Sequence, residues 1–324
     1  MKAIICEKYG LPATLLYKDI TLGTPGPHQV RIGIKACSVN FPDTLIIQGL
    51  YQVKPPLPFT PGSDIAGTVL EVGSEVSRFK VGEEVFGFVM TGGFAEEVIA
   101  DVSQIFPKPP EMSFPIAASF LMAYGTSYHA LKDRAQIQPG ETLVVLGASG
   151  GVGLAAVALG KLLGARVIAA ASTAEKLALC QEHGADEIIN YQEEDLKNRI
   201  KELTNGKGAD VIYDPVGGTY SEAALRATGW NGRFLVVGFA AGSIPKISLN
   251  LALLKSCQIV GVFWGAFAMR FPKENVNNSL TLVKWLLAGT LNPHIHATYP
   301  LQHTGKALEE MMERKVKGKV VVTI

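Results

Sequence analysis

Charged residues are sparse in this chain. They make up 18% of its 324 residues, and 30 Lys plus Arg nearly cancel 29 Asp plus Glu, leaving a formal net charge of +1. The one short basic run, Arg314-Lys315-Val316-Lys317, reads as a solvated helix end. A nucleic-acid-binding surface needs clustered Lys and Arg, and a disordered chain needs high net charge with low hydrophobicity. Neither composition is present, and no nucleic-acid partner is expected. Cysteine is scarcer still: Cys6, Cys37, Cys180 and Cys257 lie far apart and form no C-x-x-C pair. That excludes a dithiol redox motif and a cysteine-built structural zinc cluster, and it fits a reducing, cytoplasmic setting. The N-terminus, Met1-Lys2-Ala3-Ile4-Ile5-Cys6-Glu7-Lys8, meets polar residues too early for a secretory leader. Residues 142–171 approach the hydropathy of a membrane span. A glycine cluster, Lys161 and Arg166 interrupt them, so strand, turn, helix and strand explain them better, and no membrane association is expected.

Apolar residues (48%) and 34 glycines are abundant, as in a well-buried enzyme with many turns. The first third reads as short strands between Gly and Pro turns. Residues 30–36 alternate as a half-buried strand does, residues 65–72 are a short apolar run, and Pro55-Pro56-Leu57-Pro58 and Pro107-Lys108-Pro109-Pro110 are loops. This pattern predicts a compact barrel-like domain. From Pro115 the texture changes. A helix over 115–131 leads into strands at 142–147, 166–171, 187–189, 209–213, 233–238 and 257–263, with helices at 151–163, 174–183, 195–203 and 219–228 between the first five. Such alternation predicts a parallel sheet with right-handed crossovers. Helices near 275–289 and 304–313 and a closing strand over 318–324 complete the chain. The domains expected are residues 1–121 with 265–324, and residues 122–264.

The most informative stretch is Leu143-Val144-Val145-Leu146-Gly147-Ala148-Ser149-Gly150-Gly151-Val152-Gly153. A β-branched run ends in glycines that open a helix. Such a turn lets backbone N–H groups approach a pyrophosphate, and the helix dipole favours its charge. The spacing departs from strict G-x-G-x-x-G, so alone it also fits a structural turn. The second strand of a fold that prefers NAD usually ends in Asp or Glu, which binds the ribose hydroxyls. Here the strand ends Ala169-Ala170-Ala171-Ser172-Thr173, with Lys176 one turn on and Tyr191 after the third strand. Small donors plus a cation suit a 2′-phosphate and therefore NADPH. The plainer alternative is that Ser172 or Thr173 caps the helix and Lys176 is a surface lysine.

These pieces, in order, resemble the medium-chain dehydrogenase/reductase superfamily, and within it the zinc-free NADPH:quinone reductases. The resemblance runs from end to end. It rests on Lys35-Ala36-Cys37-Ser38-Val39-Asn40-Phe41-Pro42-Asp43, Pro61-Gly62-Ser63-Asp64-Ile65-Ala66-Gly67, Val81-Gly82-Glu83-Glu84-Val85, Gly93-Phe94-Ala95-Glu96, Ala123-Tyr124-Gly125-Thr126-Ser127-Tyr128, the glycine turn, Tyr213-Asp214-Pro215-Val216-Gly217-Gly218 and Gly318-Lys319-Val320-Val321-Val322. It implies an α/β protein with a GroES-like β-rich catalytic domain and a Rossmann domain with a doubly wound parallel sheet. It also implies site residues. Asn40 and Thr126 lie near the nicotinamide, while Gly150, Gly151 and Val152 meet the pyrophosphate. Ser172, Lys176 and Tyr191 hold the adenosine phosphate. Val216, Gly238 and Phe239 line the strand ends, and Phe263 and Trp264 the nicotinamide side. A homodimer through sheet edges is implied, with 258–263 as the candidate edge.

Zinc members of the superfamily carry Cys where Asn40 stands and Gly-His-Glu where Gly62-Ser63-Asp64 stands. Asn40 and Ser63 are poor zinc ligands. The chemistry expected is therefore NADPH-dependent hydride transfer to an acceptor that needs no Lewis acid, a hydrophobic quinone or another α,β-unsaturated carbonyl. Asn40, Tyr51 and Tyr128 are the candidate catalytic residues, for positioning, hydrogen bonding or proton relay. Plainer readings stand beside them: Asn40 as a turn residue, Tyr51 as a lid or packing residue, Asp43 as a helix cap. His129 is expected to be structural, and His294, His296 and His303 lack Cys or acid partners for a metal. Leu45 stands where some quinone reductases carry tyrosine. An enoyl-thioester reductase and an NADPH-binding protein with an RNA-binding or structural role are the alternatives.

Overall fold

The computed structural model describes residues 1–324, which form two compact units, residues 1–122 with 293–324 and residues 123–292. The first unit begins with strands β1 (Lys2–Ile5), β2 (Leu16–Asp19), β3 (Gln29–Val39), β4 (Asp64–Val72), β5 (Glu84–Phe88), β6 (Glu97–Asp101) and β7 (Ile105–Pro107). The second unit holds β8 (Thr142–Leu146), β9 (Arg166–Ala171), β10 (Glu187–Asn190), β11 (Ala209–Asp214), β12 (Thr228–Val236) and β13 (Gln258–Gly261). The chain then returns to the first unit with β14 (Ile295–Pro300) and β15 (Lys319–Thr323).

In the first unit seven strands share one sheet, in the order β14-β15-β3-β4-β5-β7 with β6 on β3, and β1 pairs with β2. β3 is its spine. Val30, Ile32 and Ile34 point into the core and alternate with half-buried Arg31 and Gly33. Beyond Lys35 the strand is buried on both faces. Its end therefore carries Ser38 and Asn40 into the interior, where polar groups need partners.

The second unit is a six-stranded parallel sheet in the order β10-β9-β8-β11-β12-β13. The strand order reverses at β8, and open sheets bind ligands at the carboxyl ends beside such a switch. Strands β8 and β9 are almost wholly buried because helices cover both faces, which explains their unbroken apolar runs. β12 begins at Thr228, five residues before the expected strand at 233, because Gly229-Trp230-Asn231-Gly232 reads as a turn. Asn231 does adopt a left-handed φ of 58°, and the ladder to β11 shifts register there without ending.

The return to the first unit, placed at residue 265 from the sequence, comes at Pro293. Residues 264–292 form helices Trp264–Arg270 and Pro272–Leu287 that pack in the second unit. Trp285 meets Tyr128 edge-on at 5.4 Å, and Asn278 Nδ2 donates to Asp133 at 2.9 Å. No helix is long and apolar enough to cross a membrane.

Gly153 marks where strand and helix must touch. A Cβ there would lie 2.3 Å from the Gly147 carbonyl oxygen, a backbone atom that cannot swing aside. G153A is expected to lose about 1–3 kcal/mol of stability through overpacking, read as a lower urea midpoint. An unchanged midpoint would mean the turn accommodates a methyl group.

Candidate active site

Three strand ends meet in the first unit. Ser38 on β3 pairs in register with Asp64, the first residue of β4, and Val39 pairs with Val320, next to Lys319 at the start of β15. Asn40 follows directly and precedes the helix Phe41–Ile46. Its carboxamide is enclosed. Nδ2 donates to Asp64 Oδ2 at 3.1 Å and to Ser38 Oγ at 3.3 Å, and Oδ1 accepts from Lys319 Nζ. Lys319 Nζ also donates to the Val39 carbonyl at 3.5 Å and stands 3.9 Å from Asp64. Asp64 Oδ1 has no hydrogen-bond partner, although the Met122 amide lies close enough to favour the charged carboxylate. Asp43 accepts the Asn40 backbone N–H at 2.7 Å, and its own amide donates to the Asn40 carbonyl at 3.0 Å. Asn40 is thus the N-cap of the helix, and Asp43, expected as the cap, is its third residue and closes a capping box back to Asn40 from a site only 1% exposed.

Two carboxylates and one ammonium are therefore buried together. Burial pushes Asp43 up to about 7 against the bonds from Asn40 and Gly62 and the pull of Lys319. It pushes Asp64 up to about 6, against Lys319, Asn40 and Ser38. Burial lowers Lys319, and the two carboxylates work against that shift. The adjoining Cys37 thiol is raised well above its usual range by burial and by both carboxylates. Tyr51 is half-buried against the apolar core of this unit, and its phenol is raised by burial and by the Asp43 charge. Leu45 lies in the same short helix as Asp43.

In the second unit the glycine turn joins β8 to helix Gly151–Leu162. Gly147 sits at φ 55° and Gly150 is the helix N-cap. The first amides of a helix have no intrahelical acceptor, so Gly151, Val152 and Gly153 can bond an anion. A Cβ on Gly150 would meet nothing closer than the Gly147 oxygen at 3.4 Å, so the space before this N-terminus is open. Neighbouring groups hold the turn. Ser127 Oγ donates to the Val152 carbonyl at 2.7 Å and lies 2.9 Å from Tyr213 Oη. Asp214 accepts from Val216 N at 2.8 Å, Gly217 N at 2.9 Å and Ser221 Oγ at 2.5 Å, which fixes the loop that lays Val216 on Gly147. Gly238 N donates to the Asp214 carbonyl at 3.3 Å, and the Phe239 ring backs Gly217.

At the ends of β9 and β10, Asn190 pairs with Ala171, which sets Ser172 beside Tyr191. Lys176 Nζ lies 3.4 Å from Ser172 Oγ, and Tyr191 packs on Tyr220 with centroids 4.5 Å apart. Thr173 is the helix cap, accepting the Lys176 N–H at 3.3 Å. The capping alternative thus applies to Thr173 and leaves Ser172 free of that duty. Thr126 is half-buried on helix Phe114–Tyr128. Tyr128 is buried, with its ring edge-on to Trp285 at 5.4 Å. Trp264 is buried with its indole against Gly125 and its N–H on Asn275 Oδ1 at 3.0 Å, whereas Phe263 is 51% exposed. His129 is buried between Asp133 Oδ2 at 2.8 Å and the Phe267 ring at 4.0 Å, a structural placement. No three His, Cys, Asp or Glu side chains converge to grip a metal ion.

Residues 26–110 match the alcohol dehydrogenase GroES-like domain, and residues 151–283 match the zinc-binding dehydrogenase family. The chain is 41% identical over 327 residues to the quinone oxidoreductase-like protein 2 homolog of Nematostella vectensis, covering 99% of this chain and 88% of the relative. It is 33% identical to human quinone oxidoreductase, covering 100% of this chain and 98% of that protein. The Escherichia coli quinone oxidoreductase crystallised with NADPH superposes with a TM-score of 0.94 at 30% identity, covering both chains in full. The chain belongs to the quinone oxidoreductase branch of the medium-chain dehydrogenase/reductase superfamily. Its two units are accordingly the GroES-like and Rossmann domains of that superfamily.

Sequence reasoning missed the weight of Lys319 and Asp64. A signal was available: Lys319 opens the run Val320-Val321-Val322, and a cation entering a strand buried on both faces must find partners inside.

The cluster makes folding sensitive to pH in a defined direction. Unfolded Asp43 ionises near the ordinary value of about 3.9, while the folded residue holds its proton up to about 7. Between those limits the native state binds more protons. The stabilisation is therefore complete in acid and is lost as pH rises through about 7. D43N keeps an acceptor for the Asn40 amide but cannot ionise. The stability of the native chain relative to D43N is expected to fall from about pH 4 to about pH 8, measured by urea unfolding. Parallel curves for the two proteins would contradict it.

Proposed function

We propose that this protein is an NADPH-dependent reductase that passes hydride to a hydrophobic quinone without a metal. The glycine turn with its open space at Gly150 carries the cofactor reading. Ser172, Lys176 and Tyr191, grouped at the ends of neighbouring strands with no acid at the tip of β9, carry the choice of phosphate. NADPH supplies the hydride, and the acceptor takes a proton as well, leaving hydroquinone and the oxidised cofactor. The chain's own part is positioning. Gly151 and Val152 amides bind the pyrophosphate, Lys176 and Ser172 the 2′-phosphate, and Val216, Gly238 and Phe239 shape the strand ends. Asn40 orients the reacting groups, Tyr51 borders the acceptor, and the last proton comes from solvent or through Tyr51. A conjugated, electron-poor acceptor needs little beyond orientation and exclusion of water, worth several kcal/mol. Asn40 and Ser63 at the zinc-ligand positions, and the lack of any converging donor set, support a metal-free reaction. The four free thiols are consistent with a cytoplasmic setting.

The deciding experiment follows NADPH oxidation by the purified protein with benzoquinone and menadione against a crotonyl thioester. Quinone turnover that survives chelation supports the reading. Oxidation by the thioester alone, or turnover lost together with stoichiometric zinc, refutes it. K176A removes a charge-assisted contact worth about 1.5–3 kcal/mol, so its NADPH affinity should fall about 10- to 100-fold with NADH affinity little changed. Equal losses for both cofactors would remove Lys176 from the phosphate site.

The assembly proposed is a homodimer through β13. This strand pairs only with β12, and Ile259 on it and Leu249, Leu253 and Leu254 beside it are 41–79% exposed. An apolar, unpaired edge of this kind is a template for a second strand. I259K is expected to shift the sedimentation mass toward the monomer. A wild-type chain that sediments as a monomer ends the proposal.

A further inference from the structure

We propose that Lys319 is a positioning residue for Asn40. Its ammonium stands beside the Asp64 carboxylate along one edge of the carboxamide, 3.9 Å from it, and the pair fixes which end of the amide faces each neighbour and so which edge Asn40 offers to a bound ring. The oxygen and nitrogen ends of an asparagine amide are nearly equal in size, so packing alone does not choose between its two flips. Charge chooses here. The ammonium meets Oδ1, while Asp64 Oδ2 at 3.1 Å and Ser38 Oγ at 3.3 Å meet Nδ2. The flipped amide would set its NH₂ against the ammonium and its carbonyl against the carboxylate. Both contacts are repulsive, and Asn40, Asp64 and Lys319 are all at most 7% exposed, so water screens neither.

The strand pairing by itself does not call for this cation. The pairing of β15 with β3 runs through the backbone from Val320 to Thr323, and an apolar side chain would continue the valine run at lower desolvation cost. Lys319 balances only one of the two carboxylates, so the cluster is neutral while Asp43 holds its proton and gains a negative charge when Asp43 ionises. The groups around Asp43 are Cys37 from β3, Asp64 from β4, Lys319 from β15 and the Tyr51 phenol. What the ammonium supplies uniquely is direction: a cation at one end of the amide and an anion at the other.

The inference rests on the reading that Asn40 touches the cofactor or its acceptor, but the flip state can be measured apart from turnover. The test uses the full chain as K319M, K319R and the charge-paired K319M/D64N. The last variant keeps the experiment usable if an unpaired Asp64 unfolds K319M. Four quantities are read: NADPH affinity by fluorescence quenching, kcat and KM with a quinone, and the Asn40 side-chain amide signals in asparagine-labelled protein. In wild type we expect one pair of well-separated Asn40 amide protons. In K319M and K319M/D64N the pair should broaden or double. The kcat should fall about tenfold or more with KM and NADPH affinity within about threefold, the mark of lost orientation rather than lost binding. K319R should recover the single pair and most of kcat. A single unshifted pair in the folded variants overturns the proposal, and so does kcat within about threefold of wild type. If wild type oxidises NADPH with none of the acceptors, the functional reading fails, and the amide signals alone decide the flip.

Discussion

A buried ammonium between two buried carboxylates is the constraint on which the catalytic unit is organised. Each of these charges is costly in an apolar interior unless it is paired and hydrogen-bonded. Their demands dictate the local architecture. β3 must deliver Ser38 and Asn40, β4 must open on Asp64, and β15 must open on Lys319, all at one level of the sheet. The chain meets this by sending its last strand back to β3 after building a second unit in between. The long excursion of the C-terminus thus has a local reason: without β15 the Asp64 carboxylate and the Asn40 carbonyl lose their only cation.

The pyrophosphate site proposed in the second unit meets a different problem with almost no charge. A phosphate needs N–H groups and room, and both come from the backbone. Gly147 turns the chain where a side chain resists, Gly153 lets helix and strand touch, and Gly150 keeps the approach open. Two buried hydroxyl and carboxylate groups then stiffen the surroundings. Ser127 fastens the Val152 carbonyl and Asp214 fastens the opposing loop. The binding surface is soft in composition and rigid in geometry, as a site that works by orientation requires.

Those two solutions differ in how openly the sequence displays them. The parallel sheet was legible because each strand is an apolar run and each helix starts and stops on recognisable residues, and the strand bounds at 166–171 agree with the structure residue for residue. The grouping of Ser172, Lys176 and Tyr191 was legible because strand ends line up in any parallel sheet. The bulged start of β12 was not, since Gly229-Trp230-Asn231-Gly232 has the composition of a turn and only its flanks, Thr228 and Arg233, pair with β11. The helices at 264–292 were assigned to the wrong unit because amphipathic periodicity names a buried face but not the surface that covers it. The polar cluster was half legible. Asn40 and Asp43 stood in a recognisable motif, but Asp64 and Lys319 lie 24 and 279 residues from Asn40, a separation that no local pattern spans.

That separation bears on how the proposed metal-free site would be maintained. A metal ion gathers its ligands by direct bonds and draws distant segments together as it binds. Here the same gathering falls to a side chain that is part of the sheet. Lys319 is placed by the register of β15, so its position is as precise as the strand pairing, and it arrives with the fold instead of after it. The arrangement lacks the Lewis acidity of a divalent ion, because an ammonium held in two hydrogen bonds polarises a distant carbonyl only weakly. It keeps the part of the metal's work that organises neighbours. An acceptor already activated by conjugation needs only that part, so the chemistry proposed for the site and the cation found in it are two expressions of the same economy.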